Sequence, residues 1–234
     1  MRQIARETVI SLGATAIVIL LCCVFYPVAV YAIGQVAFHG QANGSLIDKN
    51  GDAVAPSESV GSSLLGQGFK APEYFHPRPS AAGAGYDAAN SSGTNLGPIS
   101  EKLLNGATDD PSTKDVDESF AGIKQLVAAY RSENGLGDDM LVPADAVTRS
   151  ASGLDPDITP ANAGFQLARV AKARGVTEER VREVLEHHIQ GRDLGIFGEP
   201  RVNVLMLNLA LDREVPKAKS TASAEQGGIA ATQQ

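Results

Sequence analysis

The sequence predicts an α+β fold: a single N-terminal transmembrane helix followed by one exported mixed α/β domain. Three observations predict it. No formal charge occurs between Thr8 and Ile47. Short apolar runs bounded by turn residues follow that stretch and read as strands. Capped, periodic segments later in the chain read as helices.

The apolar part of the uncharged stretch, Val9 to Phe38, is about 30 residues long, and roughly 20 suffice to cross the hydrocarbon core as a helix. We therefore place a transmembrane helix at 8–38. Arg2 and Arg6 precede it, so the Lys/Arg bias puts residues 1–7 in the cytoplasm and everything after His39 outside. A cleaved signal peptide would have an apolar core of only about 7–15 residues. Val30-Tyr31-Ala32 could serve as a cleavage site, but the run before it is too long. A lipoprotein signal wants a small residue before its cysteine, and Leu21 precedes Cys22. Cys22 and Cys23 are the only cysteines and lie within the span, so the exported part has no disulfide. Pro27 removes one backbone donor inside the span and should free the carbonyl of Cys23. A bare carbonyl is costly in lipid, so the helix is expected to rest against protein neighbours there. Tyr26, Tyr31 and Phe38 suit the outer interface.

The chain carries a net charge of −7. Residues 1–7 and the tail from Arg213 are each +1, which leaves −9 on residues 39–212. Such a domain is a poor binder of nucleic acid or anionic lipid. Lys49-Asn50-Gly51, between Leu46-Ile47 and Ala53-Val54, signals a hairpin. Residues 57–112 are rich in Gly, Pro, Ser and Asn, with aromatic anchors at Phe69, Tyr74, Phe75 and Tyr86. A long irregular stretch with such anchors reads as a binding surface.

Helices follow. Phe120, Ile123, Val127 and Tyr130 share one face of a helix ending before Asn134-Gly135. Thr159 caps a helix that opens with Pro160 and closes at Gly175. Thr177 caps another, with Glu178 and Glu179 at its positive end, His187 and His188 in its last turn and Gly191 beyond it. Residues 202–211 read as a largely buried strand. The segment 213–234 has no pattern and reads as a disordered tail.

Motifs of self-contained chemistry are missing from the sequence. It has no phosphate-cradling G-x-x-x-x-G-K-[ST] loop, no complete dinucleotide fingerprint after Gly66-Gln67-Gly68, and no G-x-S-x-G elbow. His187-His188 lacks a spaced partner for zinc, and Asp115, Asp117 and Glu118 lack the glycine and distal glutamate of a calcium loop. No metal and no enzyme activity of its own are expected.

Three segments are specific. One is Gly61-Ser62-Ser63-Leu64-Leu65-Gly66-Gln67 with Tyr74-Phe75-His76-Pro77-Arg78-Pro79-Ser80-Ala81. The second is Val147-Thr148-Arg149-Ser150-Ala151-Ser152-Gly153-Leu154-Asp155-Pro156. The third is Arg201-Val202-Asn203-Val204-Leu205 with Leu207-Asn208-Leu209-Ala210-Leu211-Asp212. With Tyr26-Pro27 and Asn43-Gly44-Ser45-Leu46, these closely resemble the C subunit of the Kdp high-affinity potassium-transporting ATPase. The likeness runs in order from about residue 8 to Asp212, apart from the linker at 106–140.

The resemblance implies a bacterial inner-membrane complex with three partners. These are a catalytic P-type ATPase subunit, a channel-like potassium-binding subunit and a small single-span subunit. It implies a non-catalytic subunit, described as a catalytic chaperone that raises the ATP affinity of the ATPase subunit. The chain would hold no cofactor of its own, and ATP would come through that subunit. The implied nucleotide contact is Gln166, preceded by the small-residue loop of Ser150, Ser152 and Gly153. On the residues alone, Gly153 supplies a turn, Asp155-Pro156 stops the chain before a helix, and Gln166 faces solvent or a partner. Charge bias puts Gln166 on the opposite side of the membrane from ATP. Subunit contacts are expected at Pro27, Tyr74, Phe75, Arg78 and Asn95. Arg78, pinned between prolines, could equally tether its own loop. Asn203 and Asn208, interrupting apolar sequence, are expected to tie down loops. The reading from another class is a free membrane-anchored periplasmic binding or sensor module.

Overall fold

Apolar, uncharged sequence satisfies its backbone best as a helix, and one helix of 36 residues runs from Arg2 to Ala37. It consists of α1 (Arg2–Ile19), a π-helical stretch (Leu20–Phe25) and α2 (Tyr26–Ala37), with none of its residues buried. Within the π stretch the bonding register widens, so that the Tyr26 amide donates to the Leu21 carbonyl five residues back. The widening falls directly before Pro27, which has no amide proton to donate, and π-bulges are a usual way for a helix to absorb such a misfit. The helix breaks at Phe38, and the short α3 (His39–Ala42) follows. The structure, a computed structural model, describes residues 1–107 and 120–217. The acidic run at Asp115, Asp117 and Glu118 and the tail beyond Lys217 lie outside the described residues.

The expected turn at Lys49-Asn50-Gly51 forms. Asp48 Oδ1 accepts from the amides of Asn50 (2.7 Å) and Asp52 (3.0 Å), and Gly51 sits at φ +83°. Its far arm contributes a single bridge, Ile47 to Ala53. The ladder partner of β1 (Leu46–Ile47) is instead β2 (Gly61–Ser62), antiparallel, with Leu46 opposite Ser62. Between residues 63 and 107 the described chain is mostly irregular, apart from a 3₁₀ turn (Ala88–Asn90) and α4 (Glu101–Asn105).

The helix expected from Phe120 starts later, as α5 (Ile123–Asn134), closed by Gly135 in the left-handed region. Phe120 stays outside because its ring is held between cations, 4.3 Å from the Arg149 guanidinium and 5.3 Å from Lys102 Nζ. After α6 (Ala144–Val147) and β3 (Asp157–Ile158), α7 (Pro160–Arg174) begins at the Thr159 cap and ends at Gly175. Thr177 then caps α8 (Glu178–His187), with His188 as its C-cap.

One expectation fails. Residues 202–211 are not a strand: β5 (Arg201–Asn203) stops at Asn203 and α9 (Val204–Glu214) takes over. The Asn203 side chain accepts from the Met206 amide at 3.1 Å and caps the new helix. Leu, Met and Ala favour the helix, and an apolar run of this length buries as a helix as readily as a strand. Order also continues past Asp212, since α9 runs to Glu214 and Val215 is buried. The main sheet is antiparallel in the order β3–β5–β4, where β4 is Ile189–Gln190 and β5 is central.

Against that sheet, α7, α8 and α9 build the main core from Ala163, Leu167, Val170, Val181, Val184, Leu207 and Leu211, joined by Phe75. Each of the Leu, Val and Phe side chains contributes about 1.5–3 kcal/mol on full burial. A second, smaller cluster joins α5 and α6 through Tyr130, Ala146 and Val147.

Candidate functional site

The motif Tyr74-Phe75-His76-Pro77-Arg78 crosses between α7 and α9 as an extended strap. Extended backbone inside a core needs partners for every amide and carbonyl. Here two side-chain amides supply them. Asn208 from α9 accepts from the Phe75 amide and donates to the Phe75 carbonyl, both at 2.9 Å. Gln166 from α7 does the same for His76, accepting at 2.7 Å and donating at 3.1 Å. The two amides stand in for neighbouring strands and fix the strap between the helices.

Gln166 is 0% exposed, not turned to solvent or a partner as its place in an amphipathic helix suggested. Its oxygen also accepts from Arg169 Nη2 (2.6 Å), and its nitrogen also donates to Asn162 Oδ1 (2.9 Å). Two lone pairs and two protons are the whole capacity of the amide. All four positions are filled from within the chain. Asn162 passes the network on, accepting from Tyr130 Oη (2.8 Å) and donating to Asp145 (3.1 Å). Burial pushes the Tyr130 phenol up, so it remains a neutral donor. Burial also pulls the Arg169 guanidinium down, against the opposing charge of Glu133.

On the other side of the strap, His76 Nδ1 lies 2.7 Å from Glu133 Oε1 of α5, while its Nε2 faces the Ala71 carbonyl at 3.0 Å. The hydrogen bond from His76 holds the Glu133 carboxyl below its ordinary value, against the desolvation that would raise it. A carboxylate depressed in the folded state adds stability above its unfolded pKa, about 4.3, and loses it as pH falls through the folded value. Acidification from pH 6 to 3 should therefore destabilise the native chain more than a Glu133→Gln variant. Thermal unfolding of both in detergent across that range checks this, and parallel curves would refute it.

The loop at Ser150–Pro156 is packed backbone to backbone. Ser152 O accepts from the Ser92 amide and Ser91 Oγ, each at 3.0 Å, and Gly153 O accepts from Ser80 Oγ at 2.6 Å. Ser150 Oγ and Ser152 Oγ accept from the amides of Gly153 (2.9 Å) and Leu154 (3.1 Å), so both hydroxyls serve their own loop. Gly153 has φ +69°, and a Cβ there would stand 2.7 Å from Ala82 N and Ser92 O. Arg78 reaches into the same region. Its Nη1 contacts Asp155 Oδ2 at 2.6 Å and its Nε donates to Thr148 O at 3.3 Å, so it tethers its own loop.

The structure thus gathers Tyr74, Phe75, Arg78 and Gln166 with the Ser150–Gly153 loop into one stitched cluster, with Ala151 and Ser152 at its exposed edge. Phe75, expected at a subunit contact, is 0% exposed, and its ring serves the core. Tyr74 donates to Asp212 Oδ2 at 3.0 Å. Asn95 is exposed at φ +53° and lines a hollow with Ser150. Pro27 stands apart in the long helix. Sequence reasoning missed Asn162, Arg169 and Arg174. Arg174 is 1% exposed and donates to the carbonyls of Glu73 (2.8 Å), Leu211 (3.1 Å) and Val215 (2.9 Å) and to Asp212 Oδ1 (2.9 Å). One signal was available. Gln166, Val170 and Arg174 recur on the same helical stripe as Ala163 and Leu167, which places polar groups on the core face.

Residues 8–213 match the family model KdpC, described as K+-transporting ATPase, c chain. The chain is similar to the potassium-transporting ATPase KdpC subunit of Mycobacterium tuberculosis (strain ATCC 25618 / H37Rv), with 46% identity over 89% of this chain and 98% of that one. The KdpC subunit of Caulobacter vibrioides (strain NA1000 / CB15N) is 48% identical over 92% of this chain and 95% of its own. That of Koribacter versatilis (strain Ellin345) is 44% identical over 90% and 96% respectively.

Proposed function

The chain belongs to the KdpC family of K+-transporting ATPase c chains, and from that premise we propose that it is the non-catalytic subunit that completes the assembled pump. Its partners are the P-type ATPase subunit, the channel-like potassium-binding subunit and the small single-span subunit. The observation that carries this reading is the match across residues 8–213, which takes in the membrane helix as well as the domain. The helix has no buried residue within its own chain, and the π-helical turn before Pro27 suits a place among partner helices. The arginines before the helix support a cytoplasmic N-terminus and a periplasmic domain.

On this reading the domain raises the ATP affinity of the pump through the assembly, as a coupling between conformational states, and not by touching nucleotide. Gln166 has no free hydrogen-bonding position, the Ser150 and Ser152 hydroxyls are engaged locally, and a domain of charge −9 repels a polyanion.

Affinity purification of the tagged chain from native membranes tests the assembly, with the three companion subunits as the expected result. Sidedness is tested with Ala151→Cys, at an exposed position beside Ser150. A membrane-impermeant maleimide should label it from outside spheroplasts. Recovery of the chain alone would overturn the first claim, and protection until lysis the second.

A further inference from the structure

The smaller core, carried by α5 and α6, meets α7 and the strap along a polar seam. Tyr130 Oη donates to Asn162 Oδ1, Arg169 Nε donates to Asn134 Oδ1 at 3.0 Å, and Phe165 of α7 adds an apolar contact. The His76 ring belongs to the same seam. It stands between Glu133 of α5 and the turn at Ala71–Tyr74 that leads into the strap.

Both nitrogens of that ring face acceptors. Nδ1 lies 2.7 Å from Glu133 Oε1, and Nε2 lies 3.0 Å from the Ala71 carbonyl oxygen. A neutral imidazole has one N–H and can serve only one of them. Arg169 Nη1 stands 3.4 Å from Nε2 but has no proton for it, because its two protons go to Pro72 O (2.7 Å) and Tyr74 O (2.9 Å). Only a ring with a proton on each nitrogen satisfies both neighbours.

We propose that His76 is a proton-operated joint: protonated on both nitrogens it ties the Ala71–Tyr74 turn to α5, and loss of one proton releases the turn. The carboxylate is the stronger acceptor, so the remaining proton stays on Nδ1. The bare Nε2 then meets the Ala71 oxygen at hydrogen-bond distance with no proton between them, and the two repel. The joint is complete while the ring is protonated and is lost as pH rises through the range where imidazoles titrate, about 5–8. Protonation of Glu133 acts separately, at the acid end.

The surrounding charges are accounted for. Glu133 is the nearer group and is hydrogen-bonded to the ring, whereas the Arg169 guanidinium of α7 is farther away and spent on carbonyls. Along the chain, Glu73 is paired with Lys217 and Arg78 with Asp155, while Asp145 of α6 is turned to Thr159 and Asn162. Tyr86 and Tyr130, whose phenols burial pushes up, stay neutral. They line a hollow of about 250 Å³ with His76, Arg78 and Glu133, and the 18% exposed ring can exchange protons with solvent there.

The test reads amide exchange of the full chain in detergent by NMR, at about pH 5.5 and 8, corrected for the intrinsic rate at each pH. The Tyr74 amide donates to Ala71 O at 3.1 Å and the His76 amide to Gln166 Oε1 at 2.7 Å. Both should lose at least about threefold in protection at the higher pH, while Val184 in α8 keeps its own. Glu133→Gln should hold their protection level, because a side-chain amide can donate to Nδ1 and leave Nε2–H for Ala71 O. His76→Gln should show no difference between the two pH values, since its side chain does not titrate. Constant protection of Tyr74 and His76 in the native chain would overturn the joint, and so would a native-like pH response in either variant. If His76→Gln does not fold, Glu133→Gln alone decides.

Discussion

Replacing Arg174 by methionine is expected to destabilise the folded chain by about 3–5 kcal/mol, chiefly by leaving buried backbone carbonyls without their donor. The guanidinium spends its donors on three carbonyls from two separate stretches of backbone. Its Nε holds Glu73, directly before the strap, and Nη1 holds the Leu211 and Val215 carbonyls at the end of α9. The Leu211 carbonyl, in the last turn of α9, also accepts from the Val215 amide at 2.9 Å, and the Val215 carbonyl lies just past the helix, so a buried cation there suits both hydrogen bonding and the dipole. Methionine fills the volume but takes this donor from the Glu73 and Val215 carbonyls, at about 1–3 kcal/mol for each one kept from water, while Leu211 O keeps the Val215 amide. Asp212 adds little to the loss, because its carboxylate is 48% exposed and can hydrate. For a domain of this size the change corresponds to roughly 6–20 °C in Tm. Arg174→Lys should recover only part of it, since an ammonium cannot span acceptors arranged for a planar fork. Thermal unfolding of the full chain in detergent measures the effect, and a variant with unaltered Tm would show that the carbonyls find other partners.

Arg174 also marks the limit of what the sequence disclosed. Helix ends were legible because they are local chemistry: Thr159 and Thr177 as caps and Gly135 and Gly175 in the left-handed region all stand where the pattern put them. The long apolar helix was legible by length alone. The Val202–Leu211 run was not, because uninterrupted apolar sequence has no period from which to tell a buried strand from a buried helix. The deciding residue was Asn203, read from sequence as a tether. It is that, donating to Ser63 O at 2.8 Å, and it also caps α9. The pairings of Gln166 with His76 and of Asn208 with Phe75 join residues 90 and 133 positions apart. No local rule reaches that far. The family resemblance singled out Gln166, but only the fold shows what its amide holds.

Gln166→Leu is the second large effect, expected at about 2–4 kcal/mol in the isolated chain with no nucleotide present. The substitution keeps most of the side-chain volume and deletes four hydrogen bonds. It strands the His76 amide and the His76 carbonyl in the interior, leaves Asn162 Oδ1 with Tyr130 Oη as its remaining donor, and takes the 2.6 Å acceptor from Arg169 Nη2. Unsatisfied buried groups, not the lost bonds themselves, set the magnitude. Gln166→Glu sharpens the point. It retains the oxygen that accepts from His76 and Arg169, but turns a carboxylate oxygen toward two acceptors where the amide had donated. It should therefore also destabilise, although it is the smaller chemical change. A residue whose role was to touch ATP would behave differently: the free chain would unfold at its normal temperature, and only the nucleotide dependence of the assembled pump would shift. The two readings separate at a temperature where the Gln166→Leu subunit is still folded and bound. There the complex should show the same ATP dependence of hydrolysis as the unsubstituted pump. Normal stability of the free variant together with a weakened apparent ATP affinity of the complex would return Gln166 to the nucleotide site.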